Sequence, residues 1–409
     1  MNARKEAERQ LAFLERGVEE IVPREEMLQR LQRSIESGKP LRVKLGIDPT
    51  TKNVHLGHMV PYGKLKAFQE LGHQAVLIIG DYTASIGDPS GRNAERPPLG
   101  LEEARRNAET YADQIFRLVD RERAEIRYQS EWFASLSLAE TLRLAGAFSL
   151  AQILAHETFR LRYEAGTRVG LHELLYPLLQ AYDSVMVGAD VELGGTDQKF
   201  NILAGRDLQK DRGMNAQCAI LVRLLPGLDG KKMSKSLGND IPVACGADEQ
   251  FARLMALADE HIETYQELVL FASAEEREAT RGRLESGENP MDIKLDLASR
   301  IVDRFNGIGS GVGAREEWMR RFSRKERPRD IAVHVLAEPA DVCAVLRDAG
   351  LVSSKSEARR LIAEGAVRLD ETRITQPDHR IDPAALGLDS GVLRIGTRRY
   401  VKLVPGTAP

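Results

Sequence analysis

Two short segments carry residue types suited to gripping phosphate: His55-Leu56-Gly57-His58 and Lys232-Met233-Ser234-Lys235-Ser236. Gly57 has no side chain, so a planar ring can approach the backbone there. A helix starting at this point offers free N–H groups and a positive dipole end to an anion. His55 and His58 add ring N–H donors. Lys232 and Lys235 bring ammonium charges toward a triphosphate, and Ser234 and Ser236 are small polar residues that suit a flexible loop. Taken singly, the first segment is also an ordinary loop-to-helix junction and the second an ordinary solvated surface. In this order, at opposite ends of one region rich in strands and helices, they point jointly to a nucleotide.

A second constellation is Tyr176, Gln180 and Asp183, whose spacing of four and three places them on one helix face. Such a polar stripe is usually solvated. Here Leu174, Leu175, Leu178 and Leu179 interleave with it, so the helix is apolar nearly all round and its polar groups are expected to face a buried site. Asp48 precedes Pro49 and Asp88 precedes Pro89; alone, each reads as a turn residue. Asp197 alone reads as a helix N-terminal residue.

The elements that must position these residues follow from periodicity. Residues 3–37 read as helices, with Leu11, Leu14, Val18 and Ile21 near helical spacing and Met27, Leu28, Leu31 and Ile35 likewise. Leu41 to Ile47 is a short strand ended by Asp48-Pro49-Thr50. A helix from about His58 to Leu71 stops at Gly72. Val76-Leu77-Ile78-Ile79 is an apolar run typical of a strand buried on both faces. Strand, helix, strand is the βαβ unit of a doubly wound fold. Residues 81–100 form a long loop rich in Gly, Pro, Asp and Ser, and helical pattern dominates 102–186. Gly194-Gly195-Thr196-Asp197 reads as a loop opening a helix near Gln198, and Ala219 to Val222 as a last strand. Residues 247–323 are helical with a break at Asn289-Pro290, and Arg320 to Arg329 reads as a basic linker. Two short helices and short strands follow from about residue 341.

The 409 residues exceed one ordinary domain, and 42% hydrophobic with 29% charged residues reads as a globular chain. The formal net charge of -3 means that a nucleic-acid partner must meet a local basic surface. Cys218, Cys245 and Cys343 form no C-x-x-C pair, so neither a zinc site nor a disulfide framework is indicated. No apolar run reaches membrane-spanning length, and no signal segment follows Met1. The expected location is the cytoplasm.

The two phosphate-type segments resemble the HIGH and KMSKS signatures of class I aminoacyl-tRNA synthetases, with Leu56 at the second position of the first. Further segments are similar to the bacterial tyrosine-specific branch. They are Lys44 to Thr50, Ile86 to Gly91, Tyr176 to Asp183, and Gly194 to Gln198. The resemblance implies ATP (as its Mg2+ complex), L-tyrosine and tRNA(Tyr) as substrates, and a homodimer. It implies that Thr50, His55, His58, Lys232 and Lys235 grip the phosphates, and that Gly57, Gly195, Asp197 and Met233 join Lys235 around ATP, with Asp197 on the ribose. Asp88, Tyr176 and Gln180 would hold the α-amino group, Asp183 the phenolic hydroxyl, with Gln198 near the reacting carboxylate and Asp48 also in the tyrosine site. Two positions depart from many members: Lys44 stands where tyrosine is common, and Glu192 where glutamine is.

The tail adds a separate signal. Ser354 and Glu357 form a capping-box pattern before a helix carrying Lys355, Arg359 and Arg360, ended by Gly365. An Asp370-Glu371 turn and the later basic residues Arg394, Arg398, Arg399 and Lys402 follow. Alone this is a charged surface or a phosphate-contacting face. It is similar to a small S-four-like RNA-binding fold, for which Lys355, Arg359 and Arg360 would contact RNA. The segment Pro290 to Lys294 resembles the family's helical anticodon-binding domain. The expected architecture is therefore an α/β, doubly wound parallel-sheet (Rossmann-like) catalytic domain over 1–240, an α-helical anticodon-binding domain over 241–330 and a small α+β S-four-like domain over 341–405. Tryptophan specificity, and a non-catalytic RNA-binding protein on the same scaffold, are the competing readings. The first is disfavoured by Asp183 and the tail, the second by the intact His55, His58, Lys232 and Lys235.

Overall fold

The computed structural model describes residues 2–50, 53–90, 99–323, 331–370, 372–386, 391–396 and 399–406, the side chains of Ser236, Phe322 and Ser323 excepted. Gly91, Glu371, Arg398 and most of the expected basic linker lie outside this set. The chain forms two compact units, residues 1–315 and 316–409.

The first unit is built on a six-stranded sheet. Its strands are β1 (Val18–Val22), β2 (Arg42–Ile47), β3 (Gln74–Ile79), β4 (Ala124–Tyr128), β5 (Val191–Gly195) and β6 (Cys218–Val222), in the order β1-β6-β5-β2-β3-β4. All neighbours are parallel except β1, which runs antiparallel to β6. The chain proceeds outward from β2 through β3 to β4, and from β5 to β6 in the other direction. The reversal between β2 and β5 is a topological switch point, where a crevice opens at the carboxyl ends of the strands.

Two strands differ from the expectation. Val18 and Ile21, placed on a helical face, belong to β1; Gly17, at φ 69°, ends the first helix (Ala3–Leu14) and the next starts at Arg24. Pairing with the apolar β6 turns a sequence of helical spacing into an edge strand, a tertiary effect that local periodicity does not carry. Likewise β4 interrupts the helical stretch 102–186. Its burial is intermediate throughout, as for the outermost strand of the sheet, so it lacks the apolar run that marks β3. Gly194 and Gly195 close strand β5 rather than forming a loop; a single 3-10 turn, Thr196–Gln198, leads into the helix Lys199–Asp211.

The helix Leu56–Glu70 follows β2 and returns to β3. It is tied to its surroundings by buried cations. Lys64 donates to the carbonyls of Leu14, at 2.9 Å, and Arg16, capping the end of the first helix. Burial, reinforced by Arg16, pulls its ammonium down to about 7. Its ammonium and the Arg304 guanidinium lie over the ring of Phe271, 5.2 and 5.3 Å from the centroid. That ring sits where a side chain at Gly63 would be: an added Cβ would lie 2.0 Å from Cε2.

The second unit packs the helices Val342–Asp348 and Lys355–Ala363 on a five-stranded sheet. Leu346, Ala358, Ile362, Val367, Leu393 and Leu403 are in its core. Ser354 caps the second helix by accepting from Glu357 N–H at 3.2 Å, but the Glu357 carboxylate reaches Ser353 instead of completing the expected reciprocal box. Among the described residues no helix is long and apolar enough to cross a membrane.

Gly63→Ala should destabilise the first unit by roughly 1–3 kcal/mol through overpacking against Phe271, read as a fall in the thermal unfolding midpoint. An unchanged midpoint would mean that the ring moves aside freely.

Candidate active site

The crevice at the switch point is a cavity of 590 Å³. Its wall comes from segments just past the carboxyl ends of the strands: Asp48 after β2, Thr83 after β3, Gln129 after β4, Asp197 and Gln198 after β5, and Leu224 after β6. Tyr176, Gln180 and Asp183 reach it from the helix Tyr176–Val187. Thr50, His55, Gly57, His58, Asp88, Gly195, Lys232 and Met233 complete the set that the sequence singled out. Lys235 is not part of the lining, and Lys355, Arg359 and Arg360 are exposed on the second unit.

One end of the cavity is organised around a buried carboxylate. Asp183 is 2% exposed and accepts from Gln129 Nε2 at 2.7 Å and Trp132 Nε1 at 3.1 Å. Desolvation pushes its carboxyl up to about 7, against the opposing pull of Lys44 and of these two donors. The Gln129 amide is itself oriented: its Oε1 accepts from Thr83 N–H at 3.0 Å, which leaves Nε2 for Asp183. The Thr83 hydroxyl lies 2.7 Å from Asp48 Oδ1, and Tyr176 OH donates to Asp48 Oδ2 at 2.9 Å. A hydrogen-bonded chain thus runs Tyr176–Asp48–Thr83–Gln129–Asp183–Trp132 across four segments of the fold. Gly80 is required beside it, because a Cβ there would fall 2.2 Å from Asp48 Oδ1.

Sequence reasoning missed Gln129, Trp132 and Thr83. Gln129 directly follows β4, so overlooking that strand hid the residue at its end. Thr83 lies in the loop after β3, a region whose composition says only that it is irregular.

Asp88 accepts from Ser90 N–H and from Gln198 Nε2, both at 2.9 Å. Asn201, fully buried, donates to Gln198 Oε1 at 3.2 Å and so orients that amide. The entry to the Tyr176 helix is anchored by a buried bidentate pair, Arg162 to Glu173 at 2.7 and 3.0 Å.

At the other end the two phosphate-type segments meet. Met233 is buried, and its sulfur accepts from Gly57 N–H at 3.3 Å. His55 stacks on His58 with ring centroids 3.7 Å apart. His55 is buried, and desolvation together with the charges of Lys235 and Lys232 lowers its imidazole to about 4. It is therefore neutral at pH 7, with one ring N–H rather than two. Lys232 pairs with Asp197 at 2.7 Å, and Lys235 donates to the carbonyl of Asn53. The loop is stapled by Asn239, which accepts from Ser234 N–H at 2.7 Å and donates to Lys232 O at 3.2 Å. No group of three or more His, Cys, Asp or Glu placed to hold a metal occurs among the described residues. The arrangement has a buried, donor-lined acceptor for a hydroxyl at one end and a stacked histidine pair, His55 of it neutral, with loop ammoniums at the other.

Comparison with known proteins identifies the family. The profile of the "tRNA synthetases class I (W and Y)" matches residues 36–323, and that of the S4 domain residues 344–385. The chain is 47% identical over 401 residues to the tyrosine--tRNA ligase of Symbiobacterium thermophilum, covering 97% of each protein. It is 41% identical over 394 residues to tyrosine--tRNA ligase 2 of Vibrio parahaemolyticus, covering 96% of this chain and 98% of the relative. The fold is similar to that of tyrosyl-tRNA synthetase from Archaeoglobus fulgidus in complex with L-tyrosine, with a TM-score of 0.60 and 22% identity over 76% of this chain and 99% of the other. The chain belongs to the class I aminoacyl-tRNA synthetases of the tryptophan and tyrosine group and, within that group, to the bacterial tyrosine--tRNA ligases.

Proposed function

We infer that the chain activates L-tyrosine with ATP and transfers it to the 3′ end of tRNA(Tyr), with both chemical steps in the crevice at the switch point. The buried Asp183 with its two fixed donors carries the assignment of tyrosine. The phenol is the remaining donor for this carboxylate. Phenylalanine leaves the carboxylate short of a partner, and an unmade hydrogen bond to a buried charge costs about 1.5–3 kcal/mol. Tryptophan offers only an indole N–H.

In the first step the tyrosine carboxylate oxygen attacks the α-phosphorus of ATP and pyrophosphate leaves. The carboxylate is ionised at neutral pH, so no general base is needed. Asp88, Tyr176 and Gln180 hold the substrate ammonium, with Asp48 orienting Tyr176, and Gln198 sits near the reacting carboxylate. Asp197 binds the ribose, next to Gly195. Thr50, His55, His58, Lys232 and Lys235 stabilise the phosphate charge, while Gly57 and Met233 border the nucleotide. ATP enters as its magnesium complex, the form that aminoacyl-tRNA synthetases generally use, and the metal supplies charge neutralisation on the phosphates. Binding of ATP takes Lys232 and Asp197 out of their mutual ion pair, one toward phosphate and the other toward ribose. In the second step a terminal ribose hydroxyl of the tRNA attacks the adenylate carbonyl and AMP leaves.

The helical stretch 241–330 is read as the anticodon-binding domain. The S4 domain, within 341–405, is read as a further RNA contact through Lys355, Arg359 and Arg360. The cytoplasm is the site of action. A homodimer is supported by exposed apolar residues on one segment, among them Leu138 at 74%, Leu142 at 64%, Leu150 at 61% and Leu171 at 83% exposure, a surface that a second copy would cover.

Five measurements test this reading. ATP–pyrophosphate exchange should depend on tyrosine and not on phenylalanine or tryptophan. Asp183→Ala should lower kcat/KM for tyrosine about 10- to 100-fold. In the wild type, kcat/KM for tyrosine should fall as pH drops through about 7, because the protonated form of a carboxyl raised to that value is no longer the acceptor the phenol needs. A flat profile between pH 6 and 8 would contradict the Asp183 assignment. Lys232→Ala and Lys235→Ala should each lower kcat about 10²- to 10³-fold with little change in KM for tyrosine, as for a group that acts on developing phosphate charge. Sedimentation should show a dimer that Leu142→Lys dissociates; a wild-type monomer would refute that assembly.

A further inference from the structure

A buried ion pair stands behind the amino-acid pocket, and beyond the pull of Lys44 on Asp183 it has no part in the roles above. Lys44 on β2 and Glu192 on β5 are register partners on adjacent parallel strands. Their side chains are 0% and 1% exposed, with Nζ 3.0 Å from Oε1. Lys44 also donates to the Gln180 backbone carbonyl and to Ser184 Oγ, both at 2.8 Å, so three acceptors meet its three N–H bonds. Glu192 is equally saturated. Oε1 accepts from Lys44 and from Gln180 Nε2 at 3.0 Å; Oε2 accepts from Ser184 Oγ at 3.0 Å and Gln217 Nε2 at 2.5 Å.

The pair therefore grips Gln180 at two points, its carbonyl through Lys44 and its side-chain amide through Glu192. An ionised carboxylate can only accept, so the amide must turn its NH2 end toward Glu192 and its oxygen away from it. Gln180 also lines the cavity. Left to itself, a primary amide at a pocket wall presents either end; one that presents NH2 would repel an ammonium.

We propose that Lys44 and Glu192 are positioning residues that lock the Gln180 side chain with its oxygen toward the cavity, making it an obligate acceptor for the ammonium of the amino-acid substrate. This rests on the reading of Gln180 as a ligand of that ammonium. The full set of partners around both charges is what lets a buried pair persist in place of apolar residues. Gly205 keeps the space open, since a Cβ there would lie 2.7 Å from Gln217 Nε2 and 3.0 Å from Ser184 Oγ.

The test compares two ligands that differ only in the ammonium, L-tyrosine and 3-(4-hydroxyphenyl)propionate, by calorimetry on the full-length protein without ATP. The wild type should prefer tyrosine. In K44M/E192M, which removes both charges at similar volume, that preference should shrink at least tenfold, about 1.4 kcal/mol, while the Kd of the propionate stays within twofold. Should this variant fail to fold, the isosteric Glu192→Gln, which brings a competing NH2 group, carries the same comparison with an expected loss of about threefold. A preference left intact, or a parallel weakening of both ligands, overturns the proposal. A wild type with no preference for tyrosine would instead overturn the assignment of the ammonium site itself.

Discussion

A carboxylate withdrawn from water must be surrounded by donors, and Asp183 imposes that requirement on the pocket. Leaving a buried charge short of partners costs more than most single contacts return. Its neighbours are therefore not interchangeable polar residues. Gln129 must present its NH2 end, which Thr83 N–H ensures, and Trp132 must bring its indole N–H within 3.1 Å. Two donors hold the group in place without exhausting its acceptor capacity, and the remaining capacity is what a phenolic hydroxyl meets. Selectivity for a hydroxylated ring follows from the cost of the alternative more than from the strength of one added bond.

The rest of the pocket extends the same logic outward. Asp48 is held by Thr83 and Tyr176, Asp88 by Ser90 and Gln198, and Gln198 by Asn201. These side chains hold one another in place, so little ordering of them remains to be done when a substrate arrives. The Lys44–Glu192 pair applies this rule at the centre of the sheet, where two strands on either side of the switch point place a cation and an anion side by side.

The nucleotide end is organised differently. Its groups come from a helix start and from a loop, held together by the Gly57–Met233 contact and the Asn239 staple. The stacked histidines are built into the wall, whereas Lys232 and Lys235 engage a side chain and a carbonyl that a nucleotide can replace. A pre-set binding pocket thus adjoins a set of exchangeable charges.

By itself the sequence determined the βαβ core, the helix with Tyr176, Gln180 and Asp183, the two phosphate-type segments and the small terminal domain. These depend on local signals: an apolar run at Val76 to Ile79, a polar triplet at helical spacing among leucines, glycine and lysine at set positions. Only the tertiary structure decided that Val18 to Val22 pairs with β6, that β4 forms the sheet edge, and that Gln129, Trp132 and Thr83 converge on Asp183 and Asp48. It likewise decided that Lys44 and Glu192, 148 positions apart in a sequence of 409, are neighbours in register. The physical reason is the same in each case. Edge strands and orienting side chains acquire their character from partners distant along the chain, and a hydrogen-bond donor becomes part of a site only when the fold brings a buried acceptor to it.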